Sequence, residues 1–190
     1  VYTGTTSGSW TRRATSKGTS YTYDFDKFNY EGTDKIIIAT GARSRELPSL
    51  KQDGKHIIGY RQAMNLEKQP KDIVIVGSGA IGIEFAYFYN SMGSNVTIVE
   101  YLDRIVPVED HEISKELEKS LKKKGINILT STEVEKAEIN SSNTVDVTLK
   151  TSNGKKNIIN TEIVLSAVGI KTNIENIGLE DLGIKIEKDK

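Results

Sequence analysis

IVIVGSGAIGIE, residues 73–84, is the stretch on which the fold turns. Four apolar residues, Ile73 to Val76, lead straight into three glycines, and a helical pattern opens behind them. Gly77-Ser78-Gly79-Ala80-Ile81-Gly82 fits G-x-G-x-x-G between a strand and a helix, the context that gives the pattern meaning. Gly77 permits the tight turn. Gly79, lacking a Cβ, lets a pyrophosphate approach the backbone, and Gly82 lets the helix pack closely on the strand. The helix start then offers its unpaired N–H groups and positive dipole end to the phosphates. The competing reading is a tight strand-to-helix turn that holds nothing.

The second half of the pattern is Glu100, which closes the next predicted strand, Val96–Val99. It follows Gly77 by about the twenty residues expected of the acid that binds the adenosine ribose. A carboxylate there accepts hydrogen bonds from ribose hydroxyls and repels a 2′-phosphate, which favours NAD over NADP. Arg104, four residues on, is the one contrary hint.

Outward from this motif the order is regular. Ala80–Met92 carries Ile81, Phe85, Phe88 and Met92 at steps of 4, 3 and 4, one apolar helical face, with Gly93 at the cap. After Pro107, acidic Glu109, Asp110 and Glu112 start a helix whose expected inner face is Ile113, Leu117 and Leu121. Lys122, Lys123 and Lys124 crowd its last turn, where the dipole favours them. Ile126–Leu129 is a third strand. Residues 133–160 read as an antiparallel meander with a hairpin turn at Asn153-Gly154, and Ile163–Val168 is a further buried strand ending at Gly169. The fold class predicted is α/β: a Rossmann-like, doubly wound parallel sheet with an inserted antiparallel β-meander.

On the other side of the motif, residues 43–70 read as a crossover linker, with a domain boundary near Gln69: 1–69 a partial segment and linker, 70–190 the nucleotide-binding domain. Ile36–Ile38 reads as a short buried strand ending at Gly41, and Tyr21–Asp26 alternates as a half-buried strand. Residues 3–20, mostly Thr, Ser and Gly, read as a loose or edge-strand segment. His56 in the linker and His111 at a helix start are expected on the surface. Ile184 and Ile186 look like the start of another strand, and the absence of an initiator Met suggests a piece of something larger.

Composition excludes several classes. Lys+Arg and Asp+Glu balance at 26 each among 190 residues, so no net field favours nucleic acid or an anionic membrane. Mean hydropathy is −0.41 and no long apolar run crosses a bilayer. No leader suggests secretion, so a cytoplasmic location is expected and the glycosylation patterns at Asn95 and Asn140 are taken as chance. The lack of any cysteine removes disulfides, thiolate metal sites and thiol nucleophiles. No metal ligands and no catalytic residues are assigned.

"IIIATGAR", "VGSGAIGIEFAYFYNSMGSNVTIVEYLDRIVP" and "VLSAVGIKTNIENIGLE" resemble the dihydrolipoyl (lipoamide) dehydrogenases of the flavoprotein pyridine nucleotide–disulfide oxidoreductase family, closely from about Asp34 to Gly183. The resemblance implies that Gly77, Ser78, Gly79, Ala80, Ile81, Gly82 and Glu84 line the NAD pyrophosphate and that Glu100 holds the ribose. It places Val134 by the adenine and Gly169 on the nicotinamide side. Thr40 and Gly41 match backbone contacts to FAD, with Thr6 a weaker third, so residues 1–69 would include part of an FAD domain. Partners implied are NAD(H), the rest of a flavoprotein chain, a homodimer and a 2-oxoacid dehydrogenase complex.

This chain departs from the pattern in carrying one glycine motif, no redox cysteine pair and no C-terminal acid–base His. It is therefore expected to be the NAD(H)-binding part of an enzyme whose parent oxidises dihydrolipoamide, and to be inactive alone. Alternatives are the corresponding part of another disulfide reductase or an NADH oxidase, or a non-catalytic NAD(H)-binding module.

Overall fold

The computed structural model describes residues 11–15, 18–22 and 37–187, and the chain divides into two compact units, Val1–Ala39 and Thr40–Lys190. In the first, β1 (Thr11–Thr15) and β2 (Gly18–Thr22) form an antiparallel hairpin. Most of the strand expected over Tyr21–Asp26 lies outside the described residues, as do Ile36 and Thr6. Ile37 and Ile38 are described, and the buried strand expected there is absent: both are exposed and outside any strand. A β-branched run becomes a strand only where a neighbour supplies the ladder, and no described strand pairs with it.

The second unit begins with β3 (Ala42–Ser44), β4 (Ile57–Ile58) and the single-turn α1 (Tyr60–Ala63). Then come β5 (Asp72–Val76), α2 (Ala80–Ser91), β6 (Asn95–Val99), α3 (His111–Lys123) and β7 (Asn127–Leu129). The meander is β8 (Thr132–Ile139), β9 (Val145–Thr151) and β10 (Lys156–Thr161), and β11 (Ile163–Ser166) and β12 (Ile170–Thr172) finish the order. The central sheet runs β4-β11-β5-β6-β7 and every pairing in it is parallel.

A parallel sheet is covered on both faces, so its strands are apolar at every position rather than at alternate ones. That is why Ile73–Val76 is an unbroken run. Ile73 and Ile75 join Ile98 and Leu165 under the helices with Ala86, Tyr89 and Leu121. Val74 and Val76 join Val99 and Val164 on the opposite face, against Val134, Val145, Val147 and Leu149 of the meander.

Several expectations need correction. The buried face of α2 is Gly82, Ala86 and Tyr89, while Phe88 and Met92 are more than half exposed. Small residues let the helix lie close to the sheet, and Tyr89 reaches past them to donate its hydroxyl to the Ala63 carbonyl, with burial pushing its pKa up. In α3, Leu121 is buried but Ile113 is 61% exposed; Ser114 turns inward instead and donates to the Val106 carbonyl at 3.3 Å. The segment read as a linker contributes β4 to the sheet.

His56 is buried, not on the surface. Its backbone N–H donates to Asp53 Oδ1, which also accepts from Lys55 and Ile57, and its ring Nδ1 lies 3.1 Å from Asp53 Oδ2. This loop is what lets Ile57 leave the turn already in register with Val164. Residues 184–187 are not a strand. Their alternation meets no pairing partner among the described residues.

Candidate functional site

The site forms where β5 hands over to α2. Gly77 takes φ +100°, which favours glycine, and its N–H donates to the Val99 carbonyl at 2.9 Å. A Cβ on Gly77 would stand 2.5 Å from the Ala167 carbonyl oxygen, so the turn presses against the end of β11. A Cβ on Gly82 would stand 2.0 Å from the Gly77 carbonyl oxygen, so the helix closes on the turn that precedes it. At Gly79 the result is opposite: nothing lies within 4 Å of where a Cβ would be. Two of the glycines are filled by protein, and the third faces open space.

That space is capped by backbone alone. Gly79 is the N-cap of α2 and no side chain caps the helix, so the first-turn amides that lack intrahelical partners stay directed outward. The macrodipole adds partial positive charge at the same point. Gly79 and Ala80 are exposed and Ile81 half-buried. The crevice therefore offers amides, a positive end and room, which together suit an anionic group.

Glu100 directly follows β6 beside this loop, with only 8% of its surface exposed. Its Oε2 accepts from the Ser78 N–H at 2.8 Å and the Ser78 hydroxyl at 2.6 Å; its Oε1 accepts from the Leu102 N–H at 2.9 Å. Ser78 is fully buried, and its carbonyl accepts from Val106 at 2.9 Å. Val106 holds φ +37°, an unusual conformation for a β-branched residue, at the place where the loop after β6 crosses the glycine turn. Arg104 is turned into its own loop: Nη2 donates to the Pro107 carbonyl at 2.9 Å, and Nε is buried.

The structure brings together Gly77, Ser78, Gly79, Ala80, Ile81, Gly82 and Glu100, with Ala167 of the 167–169 turn against Gly77. Gly169 sits two residues further, exposed at φ +109°, its carbonyl accepting from Arg45 at 2.9 Å. Glu84 is exposed on α2. Val134 is buried in the apolar cluster beneath the meander. Thr40 and Gly41 lie at the β3–β12 ribbon, their carbonyls accepting from Asn173. The grip of Ser78 on Glu100 was missed by sequence reasoning, because a serine in a variable position of the motif carries no signal of its partner.

A hollow of about 630 Å³ is lined by Arg43, Arg45, Arg61 and Lys171 among others, none of them in the glycine turn. Arg43 and Lys171 both pair with Glu175, and Arg43 chiefly holds that carboxyl down to about 2. Among the described residues no group of His, Asp and Glu has the spacing to hold a metal ion, and no helix is long and apolar enough to cross a membrane.

An open parallel sheet with a glycine turn between β5 and α2, and an acid just past the next strand, has the layout of dinucleotide-binding folds. Residues 7–190 match the family described as pyridine nucleotide-disulphide oxidoreductase, and the chain belongs to that family. It is 48% identical over 153 residues to a dihydrolipoyl dehydrogenase of Rhizobium etli, covering 80% of this chain and 32% of that protein. It is 42% identical over 154 residues to one of Bacillus subtilis, covering 80% and 32%. Among solved structures, LpdA of Mycobacterium tuberculosis superposes with a TM-score of 0.71 at 28% identity, covering 94% of this chain and 36% of that one. The flavoprotein disulfide reductase RclA of Escherichia coli gives 0.66 at 26% identity, covering 79% and 33%. The chain spans about a third of the length of these relatives.

Proposed function

We propose that this chain binds NAD(H) as the nucleotide-binding part of a dihydrolipoyl dehydrogenase. The observation that carries the reading is the open face of Gly79 before an uncapped helix start, with the Glu100 carboxylate fixed beside it. The pyrophosphate seats on the amides that open α2. The adenosine ribose donates to Glu100, and Gly169 borders the nicotinamide side. Arg104 is engaged with the Pro107 carbonyl, which supports NAD over NADP. The nicotinamide ring supplies hydride acceptance when bound; this chain's residues bind and orient it. Val134 and Glu84 are kept as family-derived contacts to adenine and pyrophosphate, and Thr40 and Gly41 as contacts to FAD.

The parent reaction takes two electrons from dihydrolipoamide through a disulfide and FAD to NAD⁺, giving lipoamide, NADH and a proton. With no cysteine of its own, this chain takes no part in the thiol–disulfide steps. It is expected to show no dihydrolipoamide-dependent reduction of NAD⁺ by itself. A homodimer, a 2-oxoacid dehydrogenase complex and a cytoplasmic setting belong to the same proposal.

Titration with NADH and with NADPH, followed by nicotinamide fluorescence, tests the reading. NADH is expected to bind more tightly. Glu100→Ala should weaken NADH binding by about 1–3 kcal/mol through loss of a charged hydrogen bond. Preference for NADPH, or indifference to Glu100→Ala, overturns the assignment.

A further inference from the structure

We infer that Ser78 is a positioning residue that sets nucleotide choice by pinning the Glu100 carboxylate; this rests on the dinucleotide reading above. An ionised carboxylate has roughly four acceptor positions. Here three are taken within the protein, two on Oε2 by Ser78 and one on Oε1 by Leu102. Both oxygens are tied, so the side chain cannot turn about its last bond without breaking a contact. What remains for a ligand is the free side of Oε1.

Ser78 is itself immobilised from behind. Its carbonyl is held by the Val106 N–H, and the preceding residue, Gly77, donates to Val99. The anchor therefore runs from the strand end and the loop after β6, through a fully buried serine, to a carboxylate that is 8% exposed.

The consequence concerns exclusion more than attraction. A glutamate free to rotate retreats toward water when a 2′-phosphate enters and so tolerates it. A pinned glutamate keeps its charge in the path of that phosphate while still accepting from a plain ribose hydroxyl. The Ser78 hydroxyl turns an acid that merely favours NAD(H) into one that also rejects NADP(H). Its backbone N–H, which any residue but proline provides, keeps part of the hold, so a side-chain change alters the degree of rejection and leaves the ribose contact in place.

The test compares dissociation constants for NADH and NADPH in the chain itself and in Ser78→Ala, Glu100→Gln and the double variant, with far-UV circular dichroism to confirm folding. Ser78→Ala is expected to narrow the NADH-over-NADPH preference by roughly tenfold, the size of one charge-assisted hydrogen bond, mainly by tightening NADPH. In the Glu100→Gln background the same change should leave the ratio unmoved, because Ser78 acts through that carboxylate. A purely structural serine would weaken both nucleotides alike. Equal losses, or an unchanged ratio in a chain that still prefers NADH, overturn the inference and leave the dinucleotide reading standing. No NADH binding by the unaltered chain overturns both. Should Ser78→Ala not fold, Ser78→Gly removes the same hydroxyl and carries the same expectation.

Discussion

Gly79 and Gly82 stand three positions apart in one motif, yet their missing Cβ atoms serve different neighbours. Around Gly82 the neighbour is the Gly77 carbonyl, 2.0 Å from the position a Cβ would take. Gly82→Ala therefore has to push helix and turn apart, and an unfolding midpoint in urea should fall by an amount equivalent to about 1–3 kcal/mol. Around Gly79 the space is open and the φ of −67° is ordinary. Gly79→Ala should leave stability within about 1 kcal/mol while weakening NADH binding, because the methyl occupies the place proposed for the pyrophosphate. Full NADH affinity in Gly79→Ala would show that no phosphate sits there. The glycines were legible in the sequence because flexibility is an unusual choice between a buried strand and a helix. Ser78 and Glu100 were legible only as members of a spacing pattern. Their mutual hydrogen bond depends on how the turn folds over the end of β6, which no local pattern encodes.

At the scale of whole elements, strands were easier to read than helix faces. β5 and β6 are buried on both sides, so composition alone marks them. α2 is apolar on nearly every side, and several faces satisfy the helical period equally; tertiary packing then selected the one with Gly82 and Ala86. In α3 the acidic start, read from Glu109, Asp110 and Glu112, held better than the inner face, and the structure makes Asp110 the cap. Asp110 accepts from Glu112 and Ile113, and Asp110→Ala should lower stability by about 1 kcal/mol in thermal or urea unfolding. The 53–58 turn gives a second test. Burial raises the Asp53 pKa, but the N–H groups of Lys55, Ile57 and His56 and the His56 ring outweigh it and bring it to about 2, below the ordinary 3.8. The folded-state value is the lower one, so the stabilisation is present above about pH 4 and disappears as pH falls toward 2. Melting temperatures measured from pH 5 to pH 2 should fall less steeply in Asp53→Asn than in the unaltered chain. Parallel curves would mean the turn contributes nothing.

Taken as a whole, the Thr40–Lys190 unit has two apolar clusters, and the parallel sheet belongs to both. The helix-side cluster contains Ile73 and Ile75, the meander-side cluster Val74 and Val76, residues of a single strand. The meander, inserted by sequence between β7 and β11, therefore supplies the second cover that a parallel sheet requires. It follows that damage in the meander should be felt at the glycine turn, which begins where β5 ends. Leu149 lies on β9, is 2% exposed and packs in the cluster that contains Val76 and Val99. Leu149→Ala should cost about 2–5 kcal/mol in lost burial and residual cavity. If the unit unfolds as one, amide hydrogen exchange in β5 and β6 should accelerate by the same free energy as in β8 to β10, because all report one global opening. Loss of protection confined to the meander would instead mark it as a separately opening layer, and the glycine turn would then owe its rigidity to the helix-side cluster alone.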